Sequence, residues 1–593
     1  MRAAPHRAFG YLRARPGVLA ILVLALTCGT VMQSIGWAQT AHYALVKAIG
    51  DGTPEIDRYH WETKDKAYTD GHFYTVKAPG LAFTTYPAFA ALRALGGEEA
   101  STQAARNARR EGANRWHPKP IPLRNYGSNL NRAQEVRETV ANEAGMIWAL
   151  TWLGVIIPSA VLLLLVRSLA DRLVPGYGTP AALTLGLGTL ILPFTTVYFS
   201  HVISAMLGFA AFAVLWHERQ GGERLGLVAG AGVLAGLGVV FEYPLALVGA
   251  IVGVFAISRA FTASRREAAV GIVRRGMTYS AGAVLAALPV AAYNVWAFGT
   301  PVHSSYANAV RVQGRTGHRE LGLNGDGLFG ITLPDPKAAL DLMFAARGIV
   351  TITPVVLMGV VGIVFLHRRG HRAVAWTIAA MTVAHLLYNA GYWLPFGGGS
   401  PGPRFLIPLM PFLALGIAAA WKRLPAVTLA LTIPSVVFMV LATITHPLIG
   451  DRDTGLWATR VTQGNFEHTI LTAMGLGNGW LAITPYIAGI AATIVFAALG
   501  TGRLALGDLR PAVAVTVAWA CFSALGPELM GEKVTAVNGS MGALSTILVA
   551  AALSLLTLFG LREIDRGRLA GLTRTVRPPR PQGRPKPAVQ RSG

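Results

Sequence analysis

"LAFTTYPAFAALRAL", Leu81–Leu95, is apolar enough to enter a membrane and too short to cross one. At about 1.5 Å per residue it reaches roughly 22 Å, against a hydrocarbon core of about 30 Å. Pro87 interrupts it as well. It reads as a helix lying in the interface. Counted as a crossing instead, it would invert the side of every later loop. The charges downstream give an independent test. About fourteen apolar runs long enough to span begin near Gly17, Ala144, Pro180, His201, Leu225, Tyr243, Met277, Gly348, Arg372, Arg404, Pro425, Leu481, Pro511 and Gly542. With the N-terminus cytoplasmic, alternate connections carry Arg167/Arg172, Arg219/Arg224, Arg259/Arg265/Arg266/Arg274/Arg275, Arg368/Arg369/Arg372, Lys422/Arg423 and Arg503/Arg510. The turns on the other side, such as "FSH" and "FEYP", carry no Lys or Arg. The alternation holds only when Leu81–Leu95 stays out of the count, and it puts both termini in the cytoplasm.

Composition agrees with an all-α polytopic membrane protein. Of 593 residues 53% are hydrophobic and 14% charged, against roughly 25% charged in a soluble domain. Mean hydropathy is +0.46. The formal charge of +23 suggests nucleic acid at first sight. The arginines sit in short loops and tails, however, where topology and anionic lipid account for them, and no nucleic-acid partner is expected. Cys28 and Cys521 fall inside expected spans and form neither a disulfide framework nor a metal-ligand spacing. Richness in Arg, Ala and Gly suggests a bacterium with a GC-rich genome.

The expected organisation is a cytoplasmic N-terminus (1–16), a transmembrane catalytic core (17–446), a C-terminal transmembrane region (447–560) and a basic disordered tail (561–593). The first span, Gly17 to about Ala38, exceeds a signal-peptide h-region, and "AQTA" is a poor cleavage site. A large extracytoplasmic loop follows, 39–142. Before Leu81 it is dense in acids, aromatics and histidines, "GDGTPEIDRYHWETKDKAYTDGHFYTVKAPG". After Leu95 it turns polar and basic. Smaller outer loops are expected at Gly299–Ala346, Trp393–Pro403 and Pro447–Trp480. No internal repeat is visible.

Candidate chemistry gathers on the outer side. Asp57 and Asp70 lie in the first loop with Tyr59, His60, His72, Tyr74 and Lys77, while Glu62 and Asp65 read as solvated carboxylates. Tyr198/His201 and Glu242/Tyr243 mark two outer span ends. Arg404 opens the tenth span in "GGGSPGPRFLIPLMPF", where a cation opposes the helix dipole and invites a compensating anion. Snorkelling to headgroups is the plainer alternative. Walker, paired-cysteine zinc, GxSxG and HExxH motifs do not occur. Polar groups at one depth beside apolar surface suit a substrate with a charged head and a greasy tail.

An acid early in the first loop, then "GHFYTVKAPG" and an apolar segment, resembles polytopic glycosyltransferases of the GT-C superfamily. The nearest group is the protein O-mannosyltransferase-like one, which includes the lipid A aminoarabinose transferases. "PRFLIPLMPF" is similar to an Arg-aromatic-Leu-x-Pro stretch of that family, and the likeness runs over roughly residues 17–425. It implies a sugar donor on a polyprenyl phosphate and a first-loop carboxylate, matching Asp57, as the base. It also implies Lys77 and Arg404 at the donor phosphate. Tyr59, His60, His72, Tyr74 and His201, with Glu242 and Tyr243, would shape the substrate site. Many relatives pair two adjacent acids where Arg58 follows Asp57, and several have Glu where this chain has Val76. Asp70 therefore stands beside Asp57 as the alternative base, and a divalent metal is left open.

The implied reaction is inverting transfer of a hexosyl or pentosyl group to a lipid, glycan or protein acceptor, outside the bacterial cytoplasmic membrane. The charged cluster would hold the sugar-phosphate head while "LAFTTYPAF" rests beside the isoprenoid among membrane lipids. The alternative from another class is a transporter or flippase of a lipid-linked or small solute. Such proteins place ionisable groups near mid-membrane, whereas the span centres here are nearly free of them.

Overall fold

The computed structural model describes residues 15–112, 130–262, 265–303, 305–306, 330–450, 454–501, 506–530 and 537–575. The expected tail beyond 575 and most of the expected N-terminal segment lie outside these. The chain is mostly helical, with almost no sheet.

Apolar runs without interior charge favour helices, because in hydrocarbon every backbone N–H and C=O needs an internal partner. Each expected run finds one. The helices are α1 (Pro16–Cys28), α2 (Trp37–Gly50), α3 (Gly80–Ala94), α4 (Gly97–Arg110), α5 (Leu130–Thr151), α6 (Ile157–Leu173), α7 (Gly178–Gly188) and α8 (Ile191–Phe194). Then come α9 (His201–Arg219), α10 (Leu225–Phe241), α11 (Leu245–Ile257), α12 (Arg265–Phe298), α13 (Pro336–Phe344), α14 (Ile349–Ile352), α15 (Val356–Arg368) and α16 (Arg372–Gly391). After a 3₁₀ turn at Arg404–Leu409 follow α17 (Met410–Arg423), α18 (Pro425–Thr445), α19 (Gly455–Thr462), α20 (Ile470–Ala473), α21 (Gly479–Gly500), α22 (Leu509–Leu529) and α23 (Val537–Thr575). Among the described residues nine helices are long and apolar enough to cross a membrane, with α5 and α6 counted as one through a π turn. The segment through α14 and α15 is a broken tenth, bent by 87°. The other expected crossings are shorter helices (α1, α10, α11) or the split pair α7/α8.

Three expectations need correction. The first apolar run does not continue to Ala38. Helix α1 stops at Cys28, and the chain pairs as strand β1 (Val31–Met32) with β4 (His468–Thr469). Gly29 allows the turn because a β-carbon there would fall on the Trp152 ring. The expected tail is helical as far as Thr575, where α23 continues through residues with good helix propensity. The all-α expectation has an exception in the first loop, where "KAYTDGHFYT" folds into an antiparallel hairpin, β2 (Lys66–Thr69) and β3 (His72–Thr75). Leu81–Leu95 is helix α3 as read, and it runs through Pro87. Leu81 and Thr85 pack on Gly154 in the π turn, and the Thr85 hydroxyl meets the Tyr198 phenol at 2.5 Å.

Close helix approach holds the bundle together. Gly232 and Gly236 of α10 face backbone carbonyls of α12, and Gly362 of α15 faces that of Gly416 in α17. Any side chain there would push the helices apart. The antiparallel order brings Ser200, Glu242, Trp393, Arg404 and His446 to one end of the bundle. At the other end, the buried Glu218 carboxylate is held by Arg275 at 2.9 Å and Arg259 at 2.8 Å.

Candidate functional site

Between residues Asp70 and Gly71 the chain reverses with φ of 52° and 94°. Two positive φ values in a two-residue loop fit the right-handed twist of a hairpin, and Asp-Gly supplies them at little cost. The register pairs Thr69 with His72 and Lys66 with Thr75. Beyond its open end, Val76 N–H donates to Asp65 O at 3.3 Å. Asp65 and Lys77 are thereby brought together, with carboxylate and ammonium 2.7 Å apart and side chains 18% and 15% exposed. Asp65 is not a solvated loop acid. Nor is Glu62, which is buried and paired with Lys47 at 2.7 Å.

Lys77 and Asp65 open onto a cavity of about 930 Å³, within the usual size of a ligand site. Its walls come from distant parts of the chain: Ser34–Ala38 and His42, the hairpin end, Phe199–His201, Glu242–Tyr243, Tyr392–Leu394, the glycine run Gly397–Gly399, Arg404–Phe405 and His446. Arg109, Arg137 and Arg460 also face it.

Arg404 owes its position to the glycines. Gly397 and Gly398 have φ of 79° and 88°, and a β-carbon on Gly397 would stand 2.5 Å from Arg404 Nε. The buried Arg347 braces this loop by donating to Gly398 O at 3.2 Å and Ser400 O at 2.8 Å. The Arg404 guanidinium lies over Phe199 and Phe405, 5.6 and 5.3 Å from the ring centres. Its Nε is buried without a hydrogen-bond partner. It forms no ion pair among the described residues. An uncompensated cation in a concave site calls for an anion from outside.

His201 Nδ1 lies 2.8 Å from Glu242, whose carboxylate also accepts from Ser200 Oγ at 2.5 Å. Burial alone would raise the Glu242 pKa. The charge and hydrogen bond of His201, with the Ser200 hydroxyl, outweigh it and hold the carboxyl down at about 2. His42 is buried with Nδ1 unpartnered, and burial followed by the nearby Lys77 lowers its pKa to about 3. It stays neutral at physiological pH.

Of the residues expected at a site, Lys77, His201, Glu242, Tyr243 and Arg404 face the cavity. Asp57, Asp70, Tyr59, His60, His72 and Tyr74 are not among its lining residues. Asp57 accepts from Phe73 N–H at 2.6 Å and pairs with His72 at 2.7 Å, on a face where the two side chains are 42% and 53% exposed. It braces the hairpin from outside. Asp70 sits in the exposed turn. Tyr59 donates to Asp51 at 2.7 Å, His60 stacks on Phe73 at 3.9 Å, and Tyr74 packs against Phe298 at 4.7 Å. Asp65 and Arg347 are what the sequence reading missed. The Asp-Gly turn between alternating residues was the signal for Asp65, since hairpin register sets it beside Lys77. Arg347 carries no comparable signal.

Among the described residues no three His, Cys, Asp or Glu side chains come together as a metal site. No family model matches the chain, and neither a curated protein nor a solved structure matches it.

Proposed function

We propose that the protein is a membrane glycosyltransferase that moves a sugar from a polyprenyl-phosphate donor to an extracytoplasmic acceptor. The observation that carries this reading is the meeting of an ion-paired carboxylate, Asp65, and an uncompensated cation, Arg404, in one cavity at the end of an apolar bundle. The phosphate head enters the cavity and the isoprenoid stays in lipid. In the transfer step the acceptor hydroxyl attacks the anomeric carbon and gives its proton to Asp65. The bond from that carbon to the phosphate oxygen breaks, and its electron pair leaves with the phosphate. Arg404 stabilises that charge, helped by Lys77, whose ammonium has donors beyond the one given to Asp65. Displacement from the opposite face inverts the anomeric centre. Asp65 thus replaces Asp57 and Asp70 as the base, because it alone of the three faces the cavity.

Charge supports an extracytoplasmic cavity. The ends opposite the cavity carry Arg219, Arg224, Arg368, Arg369, Lys422 and Arg423, the pattern of a cytoplasmic face in the bacterial inner membrane. The cavity's charged groups sit at helix ends rather than at mid-helix, which favours a transferase over a coupled transporter.

Purified protein incubated with a panel of polyprenyl-phosphate sugars should release the lipid phosphate from at least one donor. D65N and R404Q should each slow that release by about a hundredfold or more, while D57N leaves it close to wild type. Full activity in both D65N and R404Q would refute the assignment.

A further inference from the structure

The transfer step leaves the His201–Glu242 pair of the cavity unused. His201 is fixed through Nδ1 by Glu242, and its Nε2 has no hydrogen-bond partner among the described residues. The imidazole stands against the same two rings as Arg404, 5.7 Å from the Phe199 centre and 5.9 Å from that of Phe405. A carboxylate on one nitrogen orients the ring and leaves the other nitrogen for a ligand.

The charge balance decides what a proton on that ring does. Around His201 stand Glu242, Lys77, Asp65, Arg404 and the neutral His42, with the phenols of Tyr243, Tyr306 and Tyr392. In formal charge Lys77 and Arg404 balance Asp65 and Glu242, although Arg404 is ion-paired with neither, so with a neutral His201 this inner cluster carries no surplus. A proton on His201 supplies the surplus. Arg109, Arg137, Arg460 and Glu138 also line the cavity, and His446 does so from near the buried Glu467, 3.4 Å away.

We propose that His201, held by Glu242, is the proton-carrying partner of Arg404 in one anion site, which grips an isoprenoid phosphate head as pH falls and loosens as pH rises. It rests on the transferase reading only for the identity of the anion. Binding at low pH then favours holding the donor, and loss of the proton favours release of the polyprenyl phosphate.

The test uses geranyl sulfate, an isoprenoid ester that stays monoanionic throughout, titrated calorimetrically into the full-length protein in nanodiscs between pH 5.5 and 8. Wild-type affinity should fall about tenfold across that range as one nearby positive charge is lost. H201Q should bind with no pH slope, R404Q should bind poorly at every pH, and H446Q should keep the wild-type slope. A flat wild type, a wild-type slope in H201Q, or a slope lost only in H446Q overturns the proposal. Should H201Q not fold, H201N takes its place: it must likewise bind with no pH slope, and a wild-type slope overturns the assignment. A pH-linked site in a protein that turns over no polyprenyl-phosphate sugar would sink the transferase reading and leave this one standing. Turnover without the slope would do the reverse.

Discussion

A β-carbon at Gly397 would stand 2.5 Å from Arg404 Nε on a backbone with φ of 79°, so alanine there meets both a clash and a strained conformation. The strain costs about 1–2 kcal/mol, a modest penalty for a bundle this size. The clash acts on a cavity cation that makes no ion pair among the described residues. G397A should therefore lower donor turnover by about tenfold or more, by displacing a group that stabilises the transition state, with little change in thermal stability. Equal losses in both would show that the glycine serves folding alone. At this scale the sequence was readable where a residue broke a rule. Arg404 at the start of an apolar span opposes the helix dipole, and that singled it out. Asp65 broke no rule, because an acid in a polar loop is normally solvated. Only its partner across the hairpin shows otherwise.

The hairpin shows how an element can lie beside a site without entering it. Its outer face is braced by Asp57, which accepts from Phe73 N–H and pairs with His72. The His72 pKa is raised, first by the hydrogen bond its ring N–H donates to Asp57, which outweighs desolvation, and then by that carboxylate's charge. A raised folded-state pKa means the pair stabilises fully below the unfolded value of about 6.5 and loses its contribution as pH climbs through the folded value. The Tm difference between wild type and H72Q should accordingly be largest near pH 6 and shrink toward pH 9. A difference that grows with pH would contradict the pairing. D57A should lower Tm, through the lost bond to Phe73, and leave geranyl sulfate affinity unchanged. Helices were legible because apolar runs announce them, and the expected starts fall in or just before one, Tyr243 by two residues and Arg404 by a 3₁₀ turn. The early end of α1 was not legible, because strand β4, its cause, lies near the other end of the chain.

Across the whole molecule, the expected boundary at residue 446 does not separate two bodies. Strand β1 pairs with β4, and α1 packs on α21, where Gly489 lets the Thr27 side chain approach. The fully buried Glu467 carboxylate accepts from Ser34 N–H at 2.8 Å and Ser34 Oγ at 2.6 Å, tying the start of the cavity wall to the C-terminal region. E467A strands those donors and should destabilise the protein by about 2–3 kcal/mol, read as a lower Tm and faster proteolysis near residues 30–36. Unchanged proteolysis would mean the seam is held elsewhere.

That seam has a consequence for synthesis. At about 5–20 residues per second, tens of seconds separate the emergence of Val31 from that of His468. Throughout that interval an inserted nascent chain exposes an unmated strand edge, and the Ser34 flank of the cavity lacks the Glu467 carboxylate that holds it. A product released early by a ribosome, short of residue 467, would carry Asp65, Lys77 and Arg404 and still lack the carboxylate that fixes the Ser34 wall. Translation must pass Thr469 before strand β1, which leads into that wall, gains its partner.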